Sequence, residues 1–485
     1  MAGLFNTSLS CCHALSLLFG TKVSYPSSVN YTSTLGSFFS AQAASLHPTC
    51  VFAPVTVQDV SVAVSALSAP SISGQYAQKR HCQFSVKSGG HNSNVGAANI
   101  NDGVAIDLSA LDTIELHPEK PIVRLGVGNT WDTVYSYLDA LQLGVNGGRS
   151  AGVGVGGLSL GGGISFFGTR YGWAADSIIN FQLVLANGSI INANESSSPK
   201  LARALRGGGN NFGIVTRIDM QTFPSSAFWG GYSYHAISVW PEAARQFIEI
   251  TQPDIYDEYA HLTLSLGYGA AVGLGVAYGL VYTKPGIEEP ALFSDVLALP
   301  AFSQSFSLSN MTQKSLEVRA QQTPNGYRYD WSTITLVPTE ALLDAAYTCF
   351  NASVADIQSV PNITWSFTLE PVPPALYSRH ANSNSLGLGN RNQTLIVVLL
   401  EASWINAADD KKVTTAARKL FSTVKEAAQG LNSWDPYVYL NYAGSWQDPI
   451  ATYGPQNLAQ LRGVANDVDP HRVFTKQVPG GFKLR

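Results

Sequence analysis

The sequence predicts an α+β protein of two domains, the second built on an antiparallel sheet covered on one face by helices. Three observations predict it. At 485 residues the chain exceeds what one hydrophobic core usually organises. After Phe223-Pro224 the texture changes: glycine clusters stop and long alternating segments begin. Those segments are interleaved with helical stretches, the pattern of a sheet with helices on one side.

In the first part, residues 45–145 read as alternating strands and helices. Val60 to Leu67 is helical, entered through Thr56–Asp59. Phe84-Ser85-Val86-Lys87 is a short strand running into Gly89-Gly90-His91, and Val104–Leu108 and Ile122–Gly126 are strands bounded by turn residues. Asn129 or Thr130 can cap a helix carrying Val134, Leu138 and Leu141 on one face. The glycine-rich stretch 144–172 is too irregular for a long helix or strand. Ile178–Leu185 and Ile190-Ile191 form a hairpin about Asn187-Gly188, and Phe212–Met220 is a further strand.

In the second part, strands are expected at Gly230–Ser238, His261–Gly267, Gly273–Tyr282, Ile363–Leu369 and Thr394–Trp404. Helices are expected at Pro241–Thr251, Thr339–Phe350 and Ala407–Gly430. In the last, Val413, Ala416, Ala417, Leu420, Phe421 and Val424 recur at helical spacing. Trp434–Arg485 returns to turn-rich, aromatic sequence. The boundaries fall at 1–222, 223–432 and 433–485.

Composition narrows the class. Hydrophobic residues are 45%, enough for a large core and against global disorder. Lys and Arg number 29 against 33 Asp and Glu, with no basic stripe, which argues against a nucleic-acid partner. No apolar run approaches the roughly 18 residues of a membrane span. The His residues show no metal spacing, and no Cys pair has zinc spacing, so no metal is expected. Cys11, Cys12, Cys50 and Cys82 crowd the first 82 residues and suit two disulfides, each of Cys11 and Cys12 reaching Cys50 or Cys82. Eight Asn-X-Ser/Thr sequons, at Asn6, Asn30, Asn187, Asn194, Asn310, Asn351, Asn362 and Asn392, point the same way, to a secreted or vesicular glycoprotein. The start, Met1-Ala-Gly-Leu-Phe, lacks a basic n-region, as expected of a mature chain whose signal has been removed and whose Met1 was added.

Four glycine-rich sites could carry chemistry: Lys87-Ser-Gly-Gly-His91, Gly152–Gly157, Leu160–Gly163 and Arg206–Gly213. Loops of this kind turn backbone N–H groups toward a pyrophosphate without needing Lys or Arg. Gly152–Gly157 lacks the strand before it and the helix and acidic residue after it that a dinucleotide fingerprint requires. Gly157-Leu-Ser159-Leu-Gly161 matches the hydrolase elbow in letters, without the strand–turn–helix context.

The order Lys87-x-Gly-Gly-His91, Gly126-Val-Gly-x-x-Trp131, Gly152–Gly163 and Gly207–Val215 resembles the FAD-linked oxidases of the vanillyl-alcohol-oxidase type. Tyr439-Leu-Asn441-Tyr442, Tyr453-Gly454 and Asp469-Pro470-x-x-x-Phe474 resemble the berberine-bridge-enzyme-like branch, in particular its fungal members. The resemblance implies an FAD-binding domain split between 1–222 and 433–485, with 223–432 as the substrate domain. It implies that His91 bonds the 8α carbon of the flavin. Lys87, Ser88, Gly89, Gly90 and Asn92, with Ser150, Gly152, Val153, Gly154, Gly156, Gly157, Gly161 and Gly162, would wrap the pyrophosphate and ring. Gly213, Ile214 and Val215 would pass near the adenine half. Many relatives carry a second link through a Cys; Ser150 stands at that position, so a single covalent bond through His91 is expected. Val153 falls where small residues are associated with access of dioxygen.

The implied reaction is transfer of hydride from an alcohol or amine carbon to the flavin, possible ring closure included, with dioxygen reoxidising it to give hydrogen peroxide. A strand at Tyr439-Leu-Asn441 would put both side chains on one face, Asn441 on the cofactor and Tyr439 as the base. Glu370 and Glu401, on strands, are further candidates, although a surface position is the commoner one for such carboxylates. The aromatic residues of the second domain suit a small apolar substrate, bound by a monomer. A carbohydrate oxidase, a non-redox cyclase using FAD as scaffold, and a binding protein on an inactive flavin fold are the rivals.

Overall fold

The computed structural model describes residues 7–69 and 82–484, so the Asn6 sequon lies outside the described residues. Short apolar runs that alternate with turns build the first sheet. Its order is Val23–Ser24, Cys50–Phe52, Val104–Asp107, Phe84–Lys87, and the last two strands, with Cys50–Phe52, run parallel. Cys50–Phe52 and Val104–Asp107 are buried along their whole length, as parallel strands covered on both faces are. The helix Val57–Ser68 starts at a reciprocal Thr56–Asp59 capping box and buries Val60, Ala63, Val64 and Leu67.

A second, antiparallel sheet follows in the order Ile114–Leu116, Ile122–Gly126, Ile214–Gln221, Ile178–Val184, Ile190–Ala193. The helix Trp131–Asp139 buries Val134 and Leu138, while Leu141 lies beyond its end and is exposed. The glycine-rich stretch holds two short helices, Val155–Leu160 and Gly168–Tyr171. Two disulfides, Cys11–Cys82 and Cys12–Cys50, resolve the connectivity that spacing left open.

The third sheet is antiparallel throughout. Its long strands run in the order Phe228–Ala236, Gly273–Tyr282, Ala260–Gly269, Thr364–Val372, Leu395–Trp404, Arg328–Leu336. Period-two alternation sends Leu262, Leu264, Leu266, Trp365, Phe367 and Leu369 into a core shared with the helices Trp240–Ile250, Glu340–Ile357 and Asp410–Gly430. The opposite parity, His261 and Thr263 on one strand and Glu370 on another, turns toward the first domain. Arg328–Leu336 escapes sequence reading because Arg-Tyr-Asp-Trp-Ser-Thr-Ile-Thr-Leu carries no clean apolar period.

The C-terminal residues Tyr437, Tyr439, Ile450, Tyr453, Leu461, Phe474 and Leu484 pack into the core of the first two sheets. Among the described residues, no helix is long and apolar enough to cross a membrane.

Candidate active site

Two glycine loops meet backbone to backbone. A Cβ on Gly89 would stand 2.5 Å from the Gly154 Cα, so the loop after Phe84–Lys87 and the loop before Val155–Leu160 can touch only as glycines. Ser88 ties them: its Oγ donates to the Val127 carbonyl at 2.5 Å and accepts from the Gly156 N–H at 3.2 Å. Gly152 and Gly157 face open space, with no atom within 4 Å of an added Cβ. Lys87 does not line that space. Its ammonium is buried and pairs with Asp107 Oδ1 at 3.2 Å, so its side chain braces the strand rather than reaching a phosphate.

His91 stands at the rim of this cradle. Its ring stacks on Phe39 with centroids 3.9 Å apart, and its Nε2 is buried with no hydrogen-bond partner. Burial, reinforced by the charge of Arg319, pulls its pKa down to about 4, so the imidazole is neutral at physiological pH. Ser150 Oγ donates to Gln322 Oε1 at 3.2 Å, and Gly152 N–H to Asp132 Oδ1 at 2.8 Å. Gly213 opens the core strand in which Ile214 and Val215 are buried. These residues fit an FAD: open glycine backbone, a Lys87 whose charge is already paired, and an unpartnered nitrogen at His91.

Beyond the cradle lies a cluster that the sequence did not reveal. Arg149, one residue before Ser150, places Nη1 2.5 Å from Glu370 Oε1, and its Nη2 donates to Glu370 Oε2 at 3.1 Å. The same guanidinium donates to Tyr442 Oη at 2.5 Å and to His261 Nε2 at 2.9 Å. Tyr442 Oη in turn donates to Glu370 Oε2 at 3.0 Å. Burial raises the Glu370 pKa, and Arg149 and the Tyr442 hydroxyl pull against it. Burial opposes the Arg149 charge too, but Glu370 together with Tyr442, Tyr439 and Tyr232 more than offsets this and holds the cation. Burial and the neighbouring cation keep His261 neutral, which leaves Nε2 free to accept.

Tyr439 takes a different place from the one alternation predicts. Leu440–Tyr442 is a 3-10 turn, not a strand, and it swings Tyr442 toward Glu370 while burying Tyr439. The Tyr439 hydroxyl accepts from the Gly163 and Ile164 N–H groups and from Asn441 Nδ2, each at 3.1 Å. Asn441 also donates to the Leu158 carbonyl at 2.9 Å, and its Oδ1 sits 2.0 Å from where a Gly161 Cβ would be. Both residues thus lock the C-terminal turn onto the glycine-rich segment. Glu370 is 1% exposed rather than on the surface, and burial raises the Glu401 pKa to about 7 against the pull of Arg319.

Trp331 joins the two halves, 5.7 Å from His91 and 6.2 Å from Tyr442 by ring centroids. A pocket beside Arg149 is lined by Phe166, Tyr232, His261, Thr263, Lys314 and Glu317. Its other cation is also paired, Lys314 with Glu317 at 2.9 Å.

The comparisons agree with this geometry. Residues 48–194 match the family model described as FAD binding domain. The chain is 38% identical over 476 residues to a protein of Diaporthe leptostromiformis named oligopeptidase PhomG′, covering 97% of this chain but only 37% of that protein's length. It is 32% identical over 489 residues to the FAD-dependent monooxygenase CTB5 of Cercospora beticola, covering 98% of this chain and 92% of that protein. The solved structure of wild-type BBE-like 1 from Physcomitrella patens superposes with a TM-score of 0.75 at 18% identity, covering 99% of this chain and 99% of that one. A glycine cradle with an unpartnered histidine, facing a sheet that carries the polar cluster, agrees with full-length matches of this kind: the chain belongs to the FAD-linked oxidoreductases of the vanillyl-alcohol-oxidase type, in the berberine-bridge-enzyme-like branch.

Proposed function

We propose that the protein is an oxidase that takes hydride from an alcohol or amine carbon of a small, largely apolar metabolite and hands the electrons to dioxygen, giving hydrogen peroxide. The observation that carries this reading is the Arg149–Glu370–Tyr442 cluster, which starts one residue before Ser150 and reaches His91 through the Trp331 ring. FAD, held covalently through His91 alone, supplies the two-electron acceptor.

The protein's part is the proton. Tyr442, not Tyr439, is the base in this reading. Burial raises its pKa strongly, so it works as a relay: it takes the substrate proton as it gives its own to Glu370 Oε2, 3.0 Å away. No free phenolate has to form. Burial of Glu370 makes its carboxylate a better proton acceptor than one in water, and Arg149 holds it by a hydrogen bond to Oε2 and an ionic contact at Oε1. His261 fixes the guanidinium from the far side.

The name of the Cercospora relative supports a second reading, insertion of an oxygen atom. Labelled dioxygen separates the two: an oxidase leaves the label in peroxide, a monooxygenase puts one atom into product. The first test is an absorption spectrum before and after acid precipitation, with flavin bands near about 370 and 450 nm retained in the pellet and lost from it in His91→Ala. Peroxide release is then screened over alcohols, amines and oligosaccharides. A substrate that turns over without bleaching the flavin under anaerobic conditions would sink the oxidase reading in favour of a cyclase. The two disulfides and the exposed sequons at Asn30, Asn187, Asn310, Asn351, Asn362 and Asn392 support a secreted or vesicular glycoprotein.

A further inference from the structure

Phe39 lies between two short helices, Val29–Gly36 and Ala41–Ala44, at 2% exposure. Its ring lies over the His91 imidazole at 3.9 Å with the planes 18° apart, and Tyr329 stacks on it in turn at 4.1 Å. Trp331 meets it edge-on at 5.6 Å. The backbone is pinned as tightly as the ring. Phe39 N–H donates to the Gly90 carbonyl at 3.1 Å, next to His91 itself, and its carbonyl accepts from the Gly326 N–H at 3.2 Å. One residue therefore ties the His91 loop to the large sheet and presents a flat face to the imidazole.

That face leaves Nε2 buried and without a partner. A buried polar atom left in this condition is unfavourable unless a bound group satisfies it. A stacked partner restricts rotation of the imidazole about its last side-chain bond, which a merely apolar neighbour does not.

We propose that Phe39 is a positioning residue for covalent attachment of the cofactor: its ring holds the plane of the His91 imidazole in one orientation for bonding to the flavin. This rests on the attachment through His91 proposed above. In that step a bond forms between an imidazole nitrogen of His91 and the 8α methyl carbon of FAD. The imidazole gives up its N–H proton and the methyl group one hydrogen. The two electrons released pass to dioxygen, so that histidine, FAD and O2 become histidyl-FAD and hydrogen peroxide. Burial, joined by the charge of Arg319 with its guanidinium 5.9 Å from the Phe39 ring, supports the step by keeping the imidazole neutral and its lone pair available.

The test compares wild type, Phe39→Leu, Phe39→Tyr and His91→Ala as flavin-free proteins from riboflavin-starved cells. Each is mixed with FAD in air. Total bound flavin is read from the absorption of the native protein. Covalent flavin is read from the fluorescence of the denatured band over time. Phe39→Leu is expected to bind FAD as wild type does but to attach it about 10- to 100-fold more slowly, since modest misplacement of a reacting group costs that much. Phe39→Tyr, which keeps the ring, is expected to restore the rate. Attachment by Phe39→Leu at the wild-type rate overturns the proposal, as does Phe39→Tyr attaching as slowly as Phe39→Leu. Where thermal unfolding shows the Leu variant to be poorly folded, Phe39→Met takes its place under the same criteria. Wild type releasing all its flavin, or His91→Ala retaining it, instead overturns the attachment through His91, a failure distinguishable from that of Phe39.

Discussion

Arg149 grips Glu370 at both oxygens, 2.5 Å to Oε1 and 3.1 Å to Oε2, from a loop 221 residues away in sequence. The pair joins the glycine-rich segment to the polar face of the large sheet. It is nearly enclosed, so removing one member strands the other. Arg149→Met is expected to destabilise the fold by about 3–5 kcal/mol, and Arg149→Met with Glu370→Gln by less than the sum of the single changes. Urea unfolding of the four proteins measures this.

The two tyrosines three residues apart separate cleanly. Tyr442→Phe removes the hydroxyl between Arg149 and Glu370 and is expected to slow anaerobic flavin reduction by substrate about 10²- to 10⁴-fold with flavin content unchanged. Tyr439→Phe strips an acceptor from the Gly163 and Ile164 N–H groups. It is expected to cost about 1–3 kcal/mol of stability and to leave the reduction rate within a few-fold of wild type. Stopped-flow reduction read beside unfolding curves distinguishes the two.

Gly161→Ala sets a methyl group 2.0 Å from Asn441 Oδ1, and the Asn441 amide and the Leu440 side chain must give way. Overpacking of this kind costs about 1–3 kcal/mol. Because Asn441 holds the turn against the glycine-rich segment, the ratio of flavin to protein absorbance in purified Gly161→Ala should fall well below wild type. An unchanged ratio would mean that this turn does not shape the cofactor site.

Two groups give the flavin-free protein opposite pH dependences. Glu401, raised to about 7 by burial, keeps its proton in the folded chain where the unfolded chain has lost it, so its contribution to stability falls as pH rises from about 4.5 to 7. His91, lowered to about 4, is neutral in the folded chain where the unfolded chain is protonated, so its contribution falls as pH drops from about 6.5 to 4. Glu401→Gln removes only the first. Melting temperatures of the variant should therefore climb more steeply with pH than those of wild type between about 4.5 and 7.

The bridge Cys12–Cys50 closes a loop with a sequence separation of 38. Replacing both residues by Ser should cost about 2–4 kcal/mol, measured by denaturant unfolding under non-reducing conditions.

The α+β class and most long strands were legible because their signals are local. Alternation in Gly273–Tyr282 and Leu395–Trp404, the Asn187-Gly188 turn and the Thr56–Asp59 cap need no distant partner to be read. The cradle was legible through its glycines and His91. Arg149 was not, because its partners lie 112, 221 and 293 residues away. Tyr442 was overlooked for a smaller reason: a 3-10 turn advances about three residues per revolution, so the side chain that an extended strand would have hidden is the one that reaches Glu370. Lys87 illustrates the converse, a cation beside a phosphate-type loop whose charge is spent on Asp107 inside the core.

A segment synthesised after the large sheet completes the first domain. Asn441 bonds Leu158, Tyr439 bonds Gly163 and Ile164, and Tyr453 bonds the Gly207 carbonyl. On the ribosome, the glycine-rich loops emerge long before these partners, and the whole substrate domain must be translated in between. A nascent chain therefore has no finished cradle until its C-terminal turn has left the exit tunnel. Cofactor capture in consequence waits on that turn, and a truncated product ending before Tyr439 would be colourless however well its early sheets had folded.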